Sequence, residues 1–417
     1  MVVSVEAASN AIQASQGKWG LISYITEAVI ILLITVLLLQ LRFSSFLPRV
    51  GSVILANSWA ILGAFAFESS KKVVGTKKSE AAQGAILEPE TPSLDWEAGR
   101  RETRARYRAK INQILGICPD EEVRGLLVRE AFEVNSRGYE IFTKSWVLES
   151  GTPKASICLC HGYGDTCTFF FERIARTLAF RGFAVFAMDY VGFGMSAGLH
   201  GYIPKFDLLV EDVIEHYSSV KENEEFSNLP QFVLGESMGG AVALKAHLRA
   251  PTLFDGAVLV APMCKIAAEM YPPWYLIEAL KLMAKVIPKA KLVPSGDIAE
   301  IGFRDLEKRA QAMQNMIAYA GKPRLGTALS LLQATDEIEK DLCKISLPLL
   351  ILHGAADRVT DPAVSKALYE KACTSDKTLR LYESAWHAVL QGEPDEMFDQ
   401  AIDDIVRWLD TRSVQHQ

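Results

Sequence analysis

Residues 230–244 read PQFVLGESMGGAVAL and place a G-x-S-x-G turn between a short apolar run and a helix-forming segment. The pentapeptide alone is common by chance, but its position between a strand and a helix is specific. The turn is so sharp that Gly235 and Gly239 must lack side chains if the strand and helix are to pack. Ser237 is then held at the tip, where the N-terminus of the helix favours negative charge. The pattern predicts Ser237 as a nucleophile.

The chain around this turn alternates short apolar runs with amphipathic segments. Several runs are continuously apolar, as strands buried on both faces are. The predicted strands are 139–148, 155–160, 183–188, 231–234, 257–260, 349–352 and 378–382. The predicted helices are 170–180, 206–220, 239–249, 362–372 and 396–410. This alternation predicts an α/β fold with a mostly parallel sheet and helices on both faces.

The interval of about 262–345 breaks the alternation. It contains no convincing strand but a helical segment that carries methionine and aromatic side chains. We interpret it as a helical cap inserted into the domain. Apolar side chains at helical spacing are as often packed core as substrate contacts, so we predict no substrate-binding residue within it.

A serine hydroxyl needs a base, and the base needs an acid that orients it. After an elbow of this kind the acid precedes the histidine in the chain. His387 follows the last predicted strand, where the base is expected, and is the predicted base. His247 lies in the helix after the turn, His353 ends a strand, and His416 is close to the terminus.

The predicted acid is Asp357, which lies just after a buried strand in the stretch LPLLILHGAADRVTDP at 347–362. Asp361 is the alternative, although it precedes Pro362 and has the features of a helix cap.

An oxyanion hole needs two backbone N–H groups aimed at the developing negative charge. Met238 directly follows the nucleophile, and Tyr163 lies between two glycines in HGYGD at 161–165, after a predicted strand. We expect these two residues to supply the N–H groups. We expect His161 to organise the loop without a part in the chemistry.

Length and composition limit the remaining possibilities. The chain has 417 residues, so we expect an extension beside the α/β domain. The formal net charge of -6 gives no general reason to expect nucleic acid as a partner. The seven cysteines are an odd number, scattered, and without zinc-binding spacing. They predict neither a disulfide framework nor a metal site.

Residues 21–41 read LISYITEAVIILLITVLLLQL, a run long enough to cross a bilayer. We interpret it as a membrane anchor, because a secretory signal would have a shorter apolar core that ends at small residues. A second apolar stretch, 50–67, either returns through the bilayer or lies in the interface. Lysines 71, 72, 77 and 78 favour a catalytic domain on the cytosolic side. Which membrane holds the anchor, a plastid membrane included, stays open.

These observations predict an anchor region at 1–70, a linker and basic segment at 71–113, and the α/β domain at 114–411. Between residues 100 and 110 there are six basic side chains in a helix-prone segment. We expect them to form a solvated helix face, with contact to anionic headgroups as the alternative.

Five motifs occur in order along the chain. They are HGYGD at 161–165, GFGMSAGLHGYIP at 192–204, GESMGG at 235–240, HGAADRVTD at 353–361 and SAWH at 384–387. Together they resemble the monoacylglycerol lipase family, and more closely its plant members, often described as caffeoylshikimate esterase-like. The resemblance covers about residues 114–409.

The resemblance implies an α/β-hydrolase fold with a helical cap over an apolar tunnel. It implies a triad at Ser237, Asp357 and His387, with oxyanion donors at Tyr163 and Met238. It implies two-step acyl transfer with no metal or organic cofactor.

The implied substrate is a lipid-like ester, with monoacylglycerol the leading expectation. A phenylpropanoid ester such as caffeoyl shikimate is the alternative, and transfer of the acyl group to an alcohol is another. From a different class, a ligand receptor with little turnover could share the fold. Phe193 departs from the family, because many members carry histidine between the two glycines; this makes the loop more apolar without touching the triad.

Overall fold

A computed structural model describes residues 93–114, 125–265, 274–293 and 298–414 of the protein. The strands β1 to β8 are Leu126–Val134, Glu140–Leu148, Ser156–Cys160, Ala184–Met188, Gln231–Glu236, Gly256–Val260, Leu349–Gly354 and Lys377–Tyr382. The helices α1 to α10 are Glu97–Ile114, Phe170–Phe180, Phe206–Glu222, Met238–Arg249, Trp274–Val286, Ile298–Gly302, Leu306–Ala312, Leu325–Asp341, Pro362–Lys371 and Asp395–Ser413, with a 3₁₀ turn at Leu342–Lys344.

All eight strands form one sheet in the order β1-β2-β4-β3-β5-β6-β7-β8. Strand β2 pairs antiparallel with β1 and β4, and every pairing from β4 to β8 is parallel. The parallel strands therefore end at the same edge, where open α/β sheets form their ligand sites. The loops after β3, β5, β7 and β8 all leave from this edge.

The central strands are apolar on both faces because helices cover both sides of the sheet. In β3, Cys158 and Cys160 join the buried cluster on one face, and Ile157 and Leu159 join the cluster on the other. This alternation follows from the period of two residues in a strand. The two cysteines thus pack as small buried hydrophobes.

Every predicted strand and helix of the domain is present, with ends displaced by a few residues at most. Strand β1 was not predicted, because its sequence LLVREAFEV leaves most side chains exposed. It is an edge strand that packs only partly, so its pattern lacks the continuous apolar run that marked the others. The described part of the cap interval, 262–345, contains helices α5 to α8 and no strand.

Helix α1 carries the basic segment, and the expectation of a solvated face is wrong for Arg100, which is fully buried. Its guanidinium donates to the carbonyl oxygens of Gly194, of Ser196 at 2.7 Å and of Leu94 at 3.0 Å. Burial lowers the pKa of Arg100 to about 10. A single-sequence pattern could not reveal this position, because two of the three partners are backbone groups of a loop more than ninety residues away.

Two further arginines of α1 also contact the domain. Arg101 donates to a carboxylate oxygen of Glu140 at 2.8 Å, and Arg104 donates to Glu130 at 2.7 Å. These contacts hold α1 against the first two strands.

Within the residues that the structure describes, no helix is both long enough and apolar enough to span a bilayer. The apolar stretches 21–41 and 50–67 lie outside those residues. The predicted anchor therefore stays a prediction from the sequence.

Candidate active site

The turn between β5 and α4 holds Ser237 in a strained backbone conformation, with φ 55° and ψ -116°. A non-glycine residue with positive φ costs on the order of 1–3 kcal/mol and persists only where the surroundings enforce it. Here the Ser237 N–H donates to the Val260 carbonyl at 2.9 Å, and the Ser237 carbonyl accepts from the Met263 N–H at 2.9 Å. These bonds to the end of β6 and the loop after it fix the turn.

The flanking glycines are required by space. A Cβ on Gly235 would lie 2.3 Å from the carbonyl oxygen of Gly239, and a Cβ on Gly239 would lie 1.9 Å from that of Cys160. No side chain fits at either distance. The structure thus gives the steric reason expected from the sequence for glycine on both sides of Ser237.

The structure brings together Ser237, His387 and Asp357 at the edge of the sheet. His387 Nε2 lies 2.9 Å from Ser237 Oγ, and His387 Nδ1 lies 2.7 Å from Asp357 Oδ2. A carboxylate only accepts hydrogen bonds, so the proton belongs on Nδ1 and Nε2 is free to accept from the hydroxyl. This geometry is suited to removing a proton from Ser237.

Asp357 is surrounded by donors. Its Oδ1 accepts from the N–H groups of Val359 at 2.7 Å and Thr360 at 3.0 Å, and its Oδ2 accepts from the Thr360 hydroxyl at 2.8 Å. Burial opposes ionisation of this carboxyl, but hydrogen bonds from His353 and His387 hold its pKa well below the usual value. Asp357 is therefore negatively charged under the conditions in which His387 acts as a base.

Sequence reasoning did not assign His353 to the site. It is fully buried, and its Nε2 lies 3.0 Å from Asp357 Oδ2 and 3.1 Å from the Thr360 carbonyl oxygen. Both oxygens are acceptors, so Nε2 carries a proton and Nδ1, 2.6 Å from Ser365 Oγ, accepts from that hydroxyl. The sequence feature that could have indicated this contact is the spacing of four residues between His353, in β7, and Asp357, in the loop after it.

The competing residues lie elsewhere in the site or outside it. Asp361 is the N-cap of α9, where its side chain accepts from the Ala363 N–H at 2.8 Å. His247 lies on α4 and its Nε2 accepts from the Ser346 N–H at 3.2 Å. His416 is not among the described residues.

The loop after β3 lies directly against the nucleophile. A Cβ built on Gly162 would be 3.6 Å from Ser237 Cβ, so the backbone at Tyr163 passes close to the serine. Met238 is the first residue of α4, and a helix leaves its first N–H groups without internal acceptors. The two N–H groups predicted for the oxyanion hole thus belong to two segments that lie next to Ser237.

Aromatic side chains pack around this loop. The Tyr163 ring meets Phe193 edge-on at 5.7 Å and Tyr319 of the cap at 6.0 Å. Tyr319 also donates its N–H to the Gly164 carbonyl at 2.7 Å. His161 stacks on Tyr190 with ring centroids 4.0 Å apart, which fits the structural part expected for it. Phe193, where many family members have histidine, is thus part of an aromatic cluster.

No group of three or more histidine, cysteine, aspartate or glutamate side chains in the described ranges is arranged to hold a metal ion.

A strained serine between a strand and a helix, with a histidine and an aspartate in sequence behind it, defines a serine hydrolase of the α/β-hydrolase fold. Residues 151–395 match the family model described as "Serine aminopeptidase, S33", and the chain belongs to that family. It is a carboxylic ester hydrolase of the monoglyceride lipase and caffeoylshikimate esterase type.

Two curated relatives support this placement. The chain is 32% identical to "Caffeoylshikimate esterase" of Arabidopsis thaliana over 71% of its own length and 90% of that protein. It is 34% identical to "Monoglyceride lipase" of Homo sapiens over 67% of its length and 90% of that protein.

A solved structure shows the same fold. A soluble variant of monoglyceride lipase from Saccharomyces cerevisiae, in complex with a substrate analog, aligns with a TM-score of 0.59 at 22% identity and covers 69% of this chain and 95% of that one.

Proposed function

We propose that this protein is a membrane-associated monoacylglycerol lipase that releases fatty acid and glycerol through an acyl-enzyme. The proposal rests above all on the unbroken hydrogen-bond chain from Asp357 through His387 to Ser237, with contacts of 2.7 and 2.9 Å. The substrate class is drawn from relatives named for it, such as the human protein that is 34% identical.

In this mechanism His387 removes the proton of Ser237 while Oγ attacks the ester carbonyl carbon. The N–H groups of Tyr163 and Met238 bind the resulting oxyanion, and Asp357 stabilises the imidazolium. The C–O bond to the alcohol then breaks, and the alcohol leaves with the proton from His387. Water loses a proton to the same histidine, attacks the acyl-enzyme, and returns Ser237 and a carboxylic acid.

A lipid-like ester also suits the surroundings of the site. The loop that would hold the oxyanion packs against the aromatic side chains of Phe193 and Tyr319, so its surroundings are largely apolar. The stretch 21–41 would keep the enzyme at the membrane into which such a substrate partitions.

Hydrolysis of a phenylpropanoid ester is the second candidate. It is favoured by the Arabidopsis caffeoylshikimate esterase, which matches 301 residues of this chain, more than the 280 of the human lipase.

The test compares hydrolysis of a long-chain monoacylglycerol and of caffeoyl shikimate by the full-length protein in detergent micelles. We expect faster cleavage of the lipid ester and a loss of about 10⁴-fold or more in Ser237→Ala. The exposed Ser227 gives a matched control, since Ser227→Ala removes a hydroxyl far from the elbow. Preference for caffeoyl shikimate would overturn the substrate, and full activity in Ser237→Ala would overturn the mechanism.

Membrane association is tested separately by fractionation after carbonate extraction. A double variant, Leu33→Lys with Leu37→Lys, places two charges within the predicted span, the first of them near its centre, where a lysine costs about 3 kcal/mol. We expect the parent protein to stay with the membrane and the variant to be released. Equal retention of both would contradict an anchor at 21–41.

A further inference from the structure

A glutamine in the loop after β8 contacts two of the other segments that form the candidate site, the loop after β3 and the end of β5. Gln391 is buried, and its side-chain nitrogen donates to Glu236 Oε2 at 2.7 Å and to Asp165 Oδ2 at 3.0 Å. Glu236 directly precedes Ser237 at the end of β5. Asp165 lies in the loop after β3. One amide group therefore joins three segments that are far apart in the sequence.

Each of these side chains is close in the chain to an atom of the reaction. Asp165 donates its N–H to the Gly162 carbonyl at 3.3 Å, which closes the turn that contains Tyr163. Gln391 donates its N–H to the Ala388 carbonyl at 3.1 Å, next to His387. A shift of the amide would thus displace the base and the oxyanion loop relative to the nucleophile.

The two carboxyls are held together by one nitrogen, with Glu236 buried and Asp165 partly buried. Burial and, after it, the neighbouring Asp165 raise the pKa of Glu236 to about 8, against a hydrogen bond from Gln391 that lowers it. Burial also raises the pKa of Asp165, to about 7, against hydrogen bonds from Thr166 and Gln391 that lower it. Two like charges this close do not both ionise readily, so the pair retains a proton near neutrality.

The other charged groups around the pair do not remove this effect. Asp189, at the end of β4, adds a further negative charge that raises the pKa of Asp165. Burial lowers the pKa of His161, which favours its neutral form. Glu393 in the same loop as Gln391 forms an ion pair with Arg304 at 2.6 Å.

We propose that Gln391 is a positioning residue for the reaction at Ser237, and that the pair Asp165 and Glu236 retains one shared carboxyl proton while both residues accept from the Gln391 amide. The shared proton holds the oxyanion loop, the nucleophile turn and the His387 loop in register. When that proton is lost at alkaline pH, the two carboxylates repel each other and the three loops separate. The inference rests on the proposed function only in naming Ser237 as the nucleophile.

The first test is Gln391→Leu, with Gln231→Leu as its matched control. Gln231 is also buried and also donates two bonds, to Tyr217 and Leu253, but it begins β5 at the edge opposite the site. We expect Gln391→Leu to lower kcat and the rate of Ser237 labelling by a fluorophosphonate about tenfold or more, with a smaller change in KM. The control should keep both rates. Equal losses in the two variants would reduce Gln391 to a packing residue.

The second test is the pH profile of fluorophosphonate labelling for the parent and for Glu236→Gln, each relative to its own maximum. Glutamine keeps the shape and the acceptor but carries no proton that titrates. We expect the parent to lose reactivity above about pH 8 and the variant to retain it to higher pH. Coincident alkaline limbs would overturn the shared proton, even if Gln391→Leu fails to fold.

Labelling does not depend on the substrate, so the two proposals can fail separately. If neither ester is cleaved but labelling follows the expected pH profile, the inference stands and the proposed lipase activity falls. If the lipid ester is cleaved with no effect of Gln391→Leu, the activity stands and the inference falls.

Discussion

Two acidic sites lie near Ser237, the single carboxyl of Asp357 and the pair formed by Glu236 and Asp165, and their hydrogen-bond donors differ. Asp357 accepts bonds from two N–H groups, a hydroxyl and two histidines. Glu236 and Asp165 instead share the nitrogen of one glutamine. The pKa of Asp357 is held low, and burial raises the pKa of the pair. Burial alone therefore does not decide the charge of a carboxyl; the number of donors that reach it does.

The largest expected effect follows from removing the charge of Asp357. Asp357→Asn keeps the shape but gives His387 an uncharged partner that can no longer stabilise the imidazolium. We expect kcat to fall about 10³–10⁴-fold, as loss of the triad acid does elsewhere. Steady-state hydrolysis of the preferred ester measures this. A loss below about tenfold would mean that Asp357 is not the acid.

A smaller loss of kcat is expected from substitutions at His353. They change the number of hydrogen-bond donors to Asp357 and leave the charge of Asp357 in place. His353→Leu removes one donor from Asp357 Oδ2 and leaves the Thr360 carbonyl without its partner, so we expect kcat to fall about tenfold. His353→Gln retains an N–H donor and should recover most of that loss. Both are compared by kcat, KM and the proton resonance of the His387–Asp357 bond in NMR spectra. Equal activity of the two variants would show that the donor does not matter.

Stability should depend on pH in opposite directions at the two sites. The depressed pKa of Asp357 contributes stability that is present above the unfolded value near 3.8 and lost as the pH falls through the folded value. The raised pKa of Glu236 contributes stability that is full below the unfolded value near 4.5 and lost as the pH rises to about 8. The thermal midpoint of Glu236→Gln, compared with that of the parent at the same pH, should therefore rise as the pH increases from about 5 to about 9.

Thermal unfolding of both proteins across this range measures the difference. Asp376→Asn, at an exposed carboxylate paired with Arg412, is a control for a surface charge. A midpoint difference between Glu236→Gln and the parent that does not change with pH would contradict a raised pKa at Glu236.

The smallest effect is expected at Asp361, the alternative acid. Asp361→Ala removes the N-cap of α9 and should cost about 1 kcal/mol of stability while kcat is retained. Denaturant unfolding and the esterase assay together measure this. A loss of activity comparable to that of Asp357→Asn would transfer the role of the acid to Asp361.

The sequence was sufficient to predict the parallel sheet and the three residues Ser237, Asp357 and His387, which the structure brings into contact. Each depends on local information: continuous apolar runs mark buried strands, and the elbow has a spacing that sterics impose. The order of motifs then leaves few candidates for Asp357 and His387. Strand β1 was not predicted, because an exposed edge strand has no continuous run of apolar residues.

By itself the sequence thus determined the class of enzyme, because the chemistry requires particular residues at the ends of particular strands. Only the tertiary structure decided which groups contact the buried polar residues and so determine whether each of them is charged. Arg100 and Gln391 contact groups that are remote in the sequence, and nothing in their local patterns distinguishes them from other polar residues. For His353 the spacing of four residues from Asp357 was a signal, but only the fold shows that the two side chains are in contact. A hydrogen bond buried between distant segments depends on how the chain packs, and short-range spacing does not record that.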